Sequence, residues 1–337
     1  MHKPKVTVIV PVYNVSRYIE KCAKSLFEQT LDGLEVLFIN DCTTDNSVAI
    51  LEGIIERYST DFERRGSIVR IINMSSNSGQ AAVRRQGILE ATGDYIINCD
   101  GDDWVDLDLY EKMYNRAIVS EADVVMCDSI YEYAGRSEEH RVIFDSGNGK
   151  ELICNWYKHC VGMHCWNKLV RRSIYTDNNI LPWPGFDMWE DNGLMTRVFY
   201  YSNKVCSIHS SFYHYNRANI ASITSGYGDK QVNQMIGVAE LLTEFFESKP
   251  DSEEYRKTIM AFQFLAKINL ITDSFSGIKE YKTIFPGVED IASELDTKAF
   301  SIKGRMRFYL VRWNLSWLFV CMFKVKKFLS NLEGNSK

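Results

Sequence analysis

The stretch Tyr95-Ile96-Ile97-Asn98-Cys99-Asp100-Gly101-Asp102-Asp103-Trp104 decides how this chain of 337 residues is read. A short run of strand-forming apolar residues ends abruptly in three carboxylates within four positions. Like charges this close disfavour one another's ionisation, and a folded chain answers them with a counter-charge. Magnesium or manganese supplies one, because hard divalent ions prefer carboxylate oxygens, and magnesium completes its shell with substrate phosphates. On this stretch alone, a solvated acidic turn leading into a helix at Asp106 is an equal alternative.

Upstream, Val6-Thr-Val-Ile-Val10 is a continuous β-branched run, the pattern of a strand buried on both faces. It ends in Pro11-Val-Tyr13-Asn14. Ile19, Cys22, Ala23, Leu26 and Phe27 then mark one helical face. Leu34–Ile39 is a second strand, ending in Asn40-Asp41, and Leu51, Ile54, Ile55 and Tyr58 mark a second helix behind a capping region at Thr43-Thr44-Asp45. Residues 67–73 form a third strand. Asn77-Ser-Gly79-Gln opens a third helix, which Thr92-Gly93 stops before the strand 95–99. A helix over 106–120 and a strand over 122–127 follow. This alternation predicts an α/β fold with a helix-covered, mainly parallel sheet. Ligands of such sheets bind beyond the carboxyl ends of the strands, where Tyr13, Asn14, Asp41, Asn77 and the three aspartates fall.

Beyond Asp128 the pattern loosens. Residues 131–150 read as a hairpin or loop. Leu181-Pro-Trp183-Pro-Gly-Phe186-Asp-Met-Trp189-Glu190-Asp191 is a kinked aromatic loop ending in a carboxylate pair, and a helix follows to Tyr201. Short strands are expected at 205–207 and 212–215, and helices from Lys230 onward. Cys154, His159, Cys160, His164 and Cys165 match no usual zinc spacing.

Composition bounds the function. Apolar residues make up 45% and charged residues 25%, the balance of a globular protein with a substantial core. Nine scattered cysteines without a CxxC pair point to a reducing cytosol. The N-terminal apolar run is too short for a signal-peptide core, and no apolar stretch reaches the ~20 residues of a membrane span. Residues 297–332 hold eight Lys or Arg and no acidic residue, against 30 basic and 43 acidic residues in 1–296. An acidic body argues against a nucleic-acid grip.

Residues 5–225 resemble glycosyltransferase family 2, inverting nucleotide-sugar-dependent enzymes of the GT-A fold. The resemblance rests on Val10-Pro-Val-Tyr-Asn14, Phe38-Ile-Asn-Asp41 with Thr44-Asp45-Asn46-Ser47, and Asn77-Ser-Gly79 with Arg84. It continues through Gly87…Ala91-Thr-Gly93-Asp-Tyr-Ile, Asp100-Gly-Asp-Asp103, Trp166-Asn-Lys168-Leu and Glu190-Asp191. Tyr213-His-Tyr215-Asn-Arg217 with Ser222-Ile-Thr224 resembles the closing segment of the bacterial capsule and lipopolysaccharide branch. Asn40, Cys42 and Arg85 stand where the family often has Asp, Gly and Asn.

The resemblance implies a GT-A catalytic domain over 1–225 and a helical C-terminal region over 226–337. It implies a nucleobase pocket from Pro11, Tyr13 and Asp41, and a diphosphate contact from Arg84 and Lys168. It implies that Asp100 and Asp103 meet the donor and that the acidic motif holds Mg2+ or Mn2+, with Asp102 the first choice for direct ligation. Asp191 is the expected general base, with Glu190 the alternative. The donor is a nucleotide-sugar, UDP being the family's commonest base. The acceptor is a cell-surface glycan or lipid-linked precursor, for which Trp183, Phe186 and Trp189 offer an aromatic platform. His214 is a further candidate for the diphosphate or metal.

The tail, 305–332, is basic at both ends with an aromatic centre, the composition of a helix lying on an anionic membrane surface. Packing on the protein or on a homodimer partner is the alternative. The expected location is cytoplasmic, peripheral on the inner face of the membrane. Two other functions fit a similar sheet: a nucleotidyltransferase, for which a Gly-rich basic loop is lacking, and a non-catalytic sugar-nucleotide-binding protein.

Overall fold

The computed structural model describes residues 3–159, 161–219, 228–270 and 283–295, with individual residues between 305 and 318. The chain divides into two compact units, residues 1–153 with 161–225, and residues 154–160 with 226–337.

The first unit is built on one mixed sheet. Strands β1 (Val6–Val12), β2 (Leu34–Asn40), β3 (Ile68–Asn73) and β4 (Tyr95–Asn98) run parallel in the order β3-β2-β1-β4. Six of the seven β1 residues are fully buried or nearly so, because helices cover both faces. The sheet continues through β9 (Lys168–Arg171), β6 (Val124–Tyr133), β10 (Val205–Asn216) and β5 (Trp104–Val105). Strand β9 is antiparallel to both neighbours, so the segment read as a fifth strand does not lie beside β4. The hairpin expected at 131–150 forms from the end of β6 and β7 (Arg136–His140), followed by β8 (Ser146–Gly147) on β10. The two short strands expected near 205 and 212 are one strand, with an irregularity between Ile208 and Phe212.

The helices follow their apolar faces. In α1 (Ile19–Phe27), Ile19, Cys22, Ala23, Leu26 and Phe27 are buried, as the spacing requires. Helix α2 (Ser47–Arg64) buries Leu51, Ile54 and Phe62. The helices α3 (Gln80–Glu90), α4 (Leu109–Ser120), α5 (Gly149–His159), α6 (Arg172–Asp177) and α7 (Glu190–Tyr200) complete the set, α5 passing from the first unit into the second.

In the second unit, α8 (Asp229–Glu247) and α9 (Arg256–Ile268) precede a short 3-10 turn at Val288–Ser293. Ala261, Phe264, Ile268, Val288, Ile291 and Phe308 form its core. Phe308 of the basic tail packs edge-on against Phe264, and Trp313 stacks on Tyr309 with its own side chain largely exposed. The remainder of the tail, including 319–332, and the Ser222-Ile-Thr224 block lie outside the described residues, as does Cys160. Among the described residues no helix is long and apolar enough to cross a membrane.

Phe27 closes the packing between α1, α2 and β2. Its ring meets Phe62 at 5.0 Å, Tyr58 at 5.6 Å and Phe38 at 6.1 Å. Replacing it with alanine should destabilise the first unit by about 3–5 kcal/mol, read as a lower urea midpoint at unchanged slope.

Candidate active site

Strands β1, β2 and β4 deliver polar stretches to one edge of the sheet. After β1, Asn14 takes a left-handed backbone (φ 53°), and its side-chain oxygen accepts bonds from the Thr44 amide (3.2 Å) and hydroxyl (3.0 Å). This ties the β1 end to the loop after β2. Pro11 is half-buried at the strand end, and Tyr13 is exposed, with its ring open to a ligand.

After β2, Asp41 is buried and both its oxygens are engaged. Oδ1 accepts the Ser78 amide (2.7 Å) and Oδ2 the Gly79 amide (3.0 Å). Asp41 is therefore first a clamp on the loop that opens α3. Asp187 holds the same loop from the aromatic segment, its Oδ1 accepting the Ala81 amide at 3.2 Å in the first turn of α3. Gly79 must be glycine on two counts: its φ is +84°, and a Cβ there would overlap the Asp187 carboxylate.

Arg84, on the buried face of α3, lies at the centre. Its Nη2 donates to Asp100 Oδ1 at 2.7 Å, and its Nη1 pairs with Glu190 Oε1. The guanidinium thus joins the acidic turn after β4 to the start of α7. The side chain expected at the diphosphate forms a buried bridge between two carboxylates of the chain itself.

The acidic turn is built by hydrogen bonds from β10. Tyr213 accepts the Asp100 amide (3.0 Å) and donates to Asp103 Oδ2 (2.6 Å); the Asn216 amide donates to Asp103 Oδ1 (2.7 Å). Gly101 passes so close to the Pro11 carbonyl that a Cβ would sit 2.6 Å from that oxygen. Asp103 is buried and each of its oxygens accepts one hydrogen bond, so it shapes the turn. Among the described residues no group of three or more His, Cys, Asp or Glu is placed to hold a metal ion. Of the three carboxylates expected there, Asp100 and Asp102 are half-buried and Asp103 is buried. Asp102 gives one oxygen to the Asn219 amide group (2.7 Å), and Asp100 gives one to Arg84. Burial, reinforced by the charge of Asp100, raises the Asp102 pKa; burial together with Asp102 and Asp100 raises that of Asp103 well above the usual range. Two carboxylates with oxygens to spare suit magnesium or manganese, which takes its remaining ligands from water and phosphate.

The Glu190-Asp191 pair points two ways. Glu190 is buried on Arg84, whereas the Asp191 side chain keeps about a fifth of its surface exposed. Asp191 Oδ1 accepts the Asn192 amide (2.8 Å) and side-chain N–H (3.0 Å), and Oδ2 lies 3.6 Å from His164 Nδ1. Burial alone would raise the Asp191 pKa. His164, Arg84 and the Asn192 amide outweigh it and hold the carboxyl below its usual value, so Asp191 is ionised at neutral pH.

Lys168 does not reach the rim. It is buried, and its ammonium donates to Gly162 O, His164 O and Asn167 Oδ1, each at 2.7 Å. It anchors the loop that carries His164. His214 is likewise spoken for, between Glu132 (2.8 Å) and Asp106 (3.0 Å) and stacked on Trp104. In the aromatic loop, the Arg197 guanidinium covers the Trp183 ring at 3.8 Å while bonding Gly193 O and Leu181 O. Trp183, Phe186 and Trp189 are half-buried.

The first unit is thus an α/β sheet whose carboxyl edge carries an exposed aromatic ring, a paired-carboxylate turn and an ionised, partly exposed carboxylate. The fold is of GT-A type. The family model for glycosyl transferase family 2 matches residues 7–178, and the chain belongs to that family. EpsH of Bacillus subtilis (strain 168), named as a glycosyltransferase, is 29% identical over 268 residues, 78% of this chain and 75% of EpsH. The crystal structure of S. aureus TarS 1-349 in complex with UDP-GlcNAc superimposes with a TM-score of 0.68 at 16% identity, covering 96% of this chain and 91% of that one. The mannosyltransferase PcManGT from Pyrobaculum calidifontis, in complex with GDP-Man and Mn2+, gives 0.51 at 13% identity, covering 97% and 87%. These likenesses agree with the GT-A fold, and the chain is a glycosyltransferase.

Replacing Arg84 with methionine leaves Asp100 and Glu190 without their counter-charge. Stability should fall by about 3–5 kcal/mol in chemical denaturation, and adding Glu190→Gln should recover part of it.

Proposed function

We propose that this chain is a metal-assisted inverting glycosyltransferase that moves a sugar from a UDP-sugar to a hydroxyl of a cell-surface glycan or lipid-linked precursor. Residues 1–225 form its catalytic part. The observation that carries the reading is the division of labour in the carboxylate pair. Glu190 is paired with Arg84, which also holds Asp100 of the acidic turn, while Asp191 is ionised and partly exposed.

In a single displacement the acceptor oxygen attacks the anomeric carbon as the bond to the diphosphate breaks. Asp191 takes the acceptor's hydroxyl proton. Asp100 and Asp102 would hold the magnesium or manganese ion, which when bound supplies positive charge opposite the departing diphosphate. Tyr13 offers a ring face for the base. The UDP preference is supported by the UDP-GlcNAc complex of TarS, and the metal by the Mn2+ complex of PcManGT. Trp183 is covered by the Arg197 guanidinium of α7, which suits one wall of an acceptor subsite. The basic stretch 305–332 would bring the enzyme to the inner face of the membrane, where lipid-linked acceptors are found.

Asp191→Asn should lower turnover of a UDP-sugar by about 10²–10⁴-fold with UDP affinity unchanged, measured by UDP release and calorimetry. Unchanged turnover would contradict the assignment. Asp102→Asn should instead weaken manganese-dependent UDP binding.

A further inference from the structure

The mechanism leaves one polar ring beside the base unused. We infer that His164 is a positioning residue for Asp191, fixing the free oxygen of the carboxylate that takes the acceptor proton. The inference rests on the reading of Asp191 as base.

Asn192 claims Oδ1 with two donors, so Oδ2 is the oxygen left for the acceptor. His164 Nδ1 stands 3.6 Å from Oδ2, an ion-pair distance that a shift of a few tenths of an ångström turns into a hydrogen bond. Catalytic contacts of this kind are often long before substrate arrives.

The ring is held from several sides although its side chain is 43% exposed. It stacks on Trp166 at 4.9 Å and 11°. Trp166 is buried and stacks in turn on Tyr213 at 4.5 Å, the tyrosine that builds the acidic turn. Lys168 grips the carbonyls of Gly162 and of His164 itself. The ring lies directly over Gly162, where a Cβ would come 2.8 Å from His164 Cδ2. An exposed histidine with no task has no need of a stacked floor and a buried lysine holding its loop. Restraint of this kind is what a residue that orients a catalytic group requires. One chain of contacts then runs from Asp191 through His164, Trp166 and Tyr213 to Asp103.

An imidazole that donates its Nδ1–H at this place stabilises the ionised carboxylate. Removing it should raise the pKa of Asp191, so the acid limb of the turnover profile should move to higher pH. Arg84, Lys168 and Cys165 also surround Asp191, and Glu190 precedes it; all stay in place in the variants below.

The test compares the full chain with His164→Ala, His164→Asn and Asp191→Asn. Release of UDP from a panel of UDP-sugars is followed with manganese present, and the Asp191 carboxyl is titrated by 13C NMR without substrate. His164→Ala should lower kcat by about 10–100-fold with KM for the donor unchanged. It should also move the Asp191 titration and the acid limb upward. His164→Asn, whose amide N–H can take the place of Nδ1–H, should restore most of the rate. An unmoved Asp191 titration with unchanged turnover in His164→Ala, against loss of turnover in Asp191→Asn, overturns the inference alone. Full turnover in Asp191→Asn overturns the base reading and the inference with it.

Discussion

The buried Arg84 guanidinium between Asp100 and Glu190 is the constraint on which the site depends. A turn of three aspartates and a Glu-Asp pair bring five carboxylates to one edge of the sheet. Without a cation inside, burial would force several of them to protonate. Arg84 meets one carboxylate from each group, so a single side chain fixes the acidic turn relative to the helix that carries Asp191. The arginine reaches this place because α3 packs its buried face on the sheet. Helix α3 starts where it does because Asp41 and Asp187 grip its entry loop. A buried ion pair of this type is a weak source of net stability, and its value lies in register.

The remaining acidic groups divide between shape and chemistry. Asp103 serves Tyr213 and Asn216, and so welds the turn to β10. Asp100 and Asp102 each keep an oxygen in hand. Asp191 keeps Oδ2. Carboxylates that look equivalent in the sequence therefore differ in which of their lone pairs the protein has already used. The same rule separates Glu190 from Asp191, adjacent residues with opposite fates.

The strands β1 to β4 and the helix faces of α1 and α2 were legible because burial on both faces demands unbroken apolar runs and one-sided helices. Strand β9 was not: four residues, Lys-Leu-Val-Arg, carry no pattern that tells an antiparallel insertion from a loop. The site was legible at the level of residue type, since the acidic turn, Asp41, Arg84 and the Glu-Asp pair all come to the edge expected. Partners were not. Lys168 reads as a diphosphate contact, yet its ammonium is buried on three oxygens, and His214 reads as a candidate for the diphosphate or metal, yet two carboxylates flank it. Asp187 and His164 act through contacts distant in sequence, which no local pattern announces. The one signal for His164 was its place two residues before the Trp166-Asn-Lys168 block.

The central claim is that the Asp100–Asp103 turn, with two carboxylates left open, is the metal-assisted seat of a nucleoside diphosphate. Calorimetric titration of the full chain with UDP, GDP and CMP, each with and without manganese, tests it most directly. The account predicts that UDP binds in the presence of manganese and at least about tenfold more weakly without it, a difference of about 1.4 kcal/mol, with GDP and CMP weaker still. A folded protein that binds none of the three, or binds UDP equally well without manganese, would contradict it.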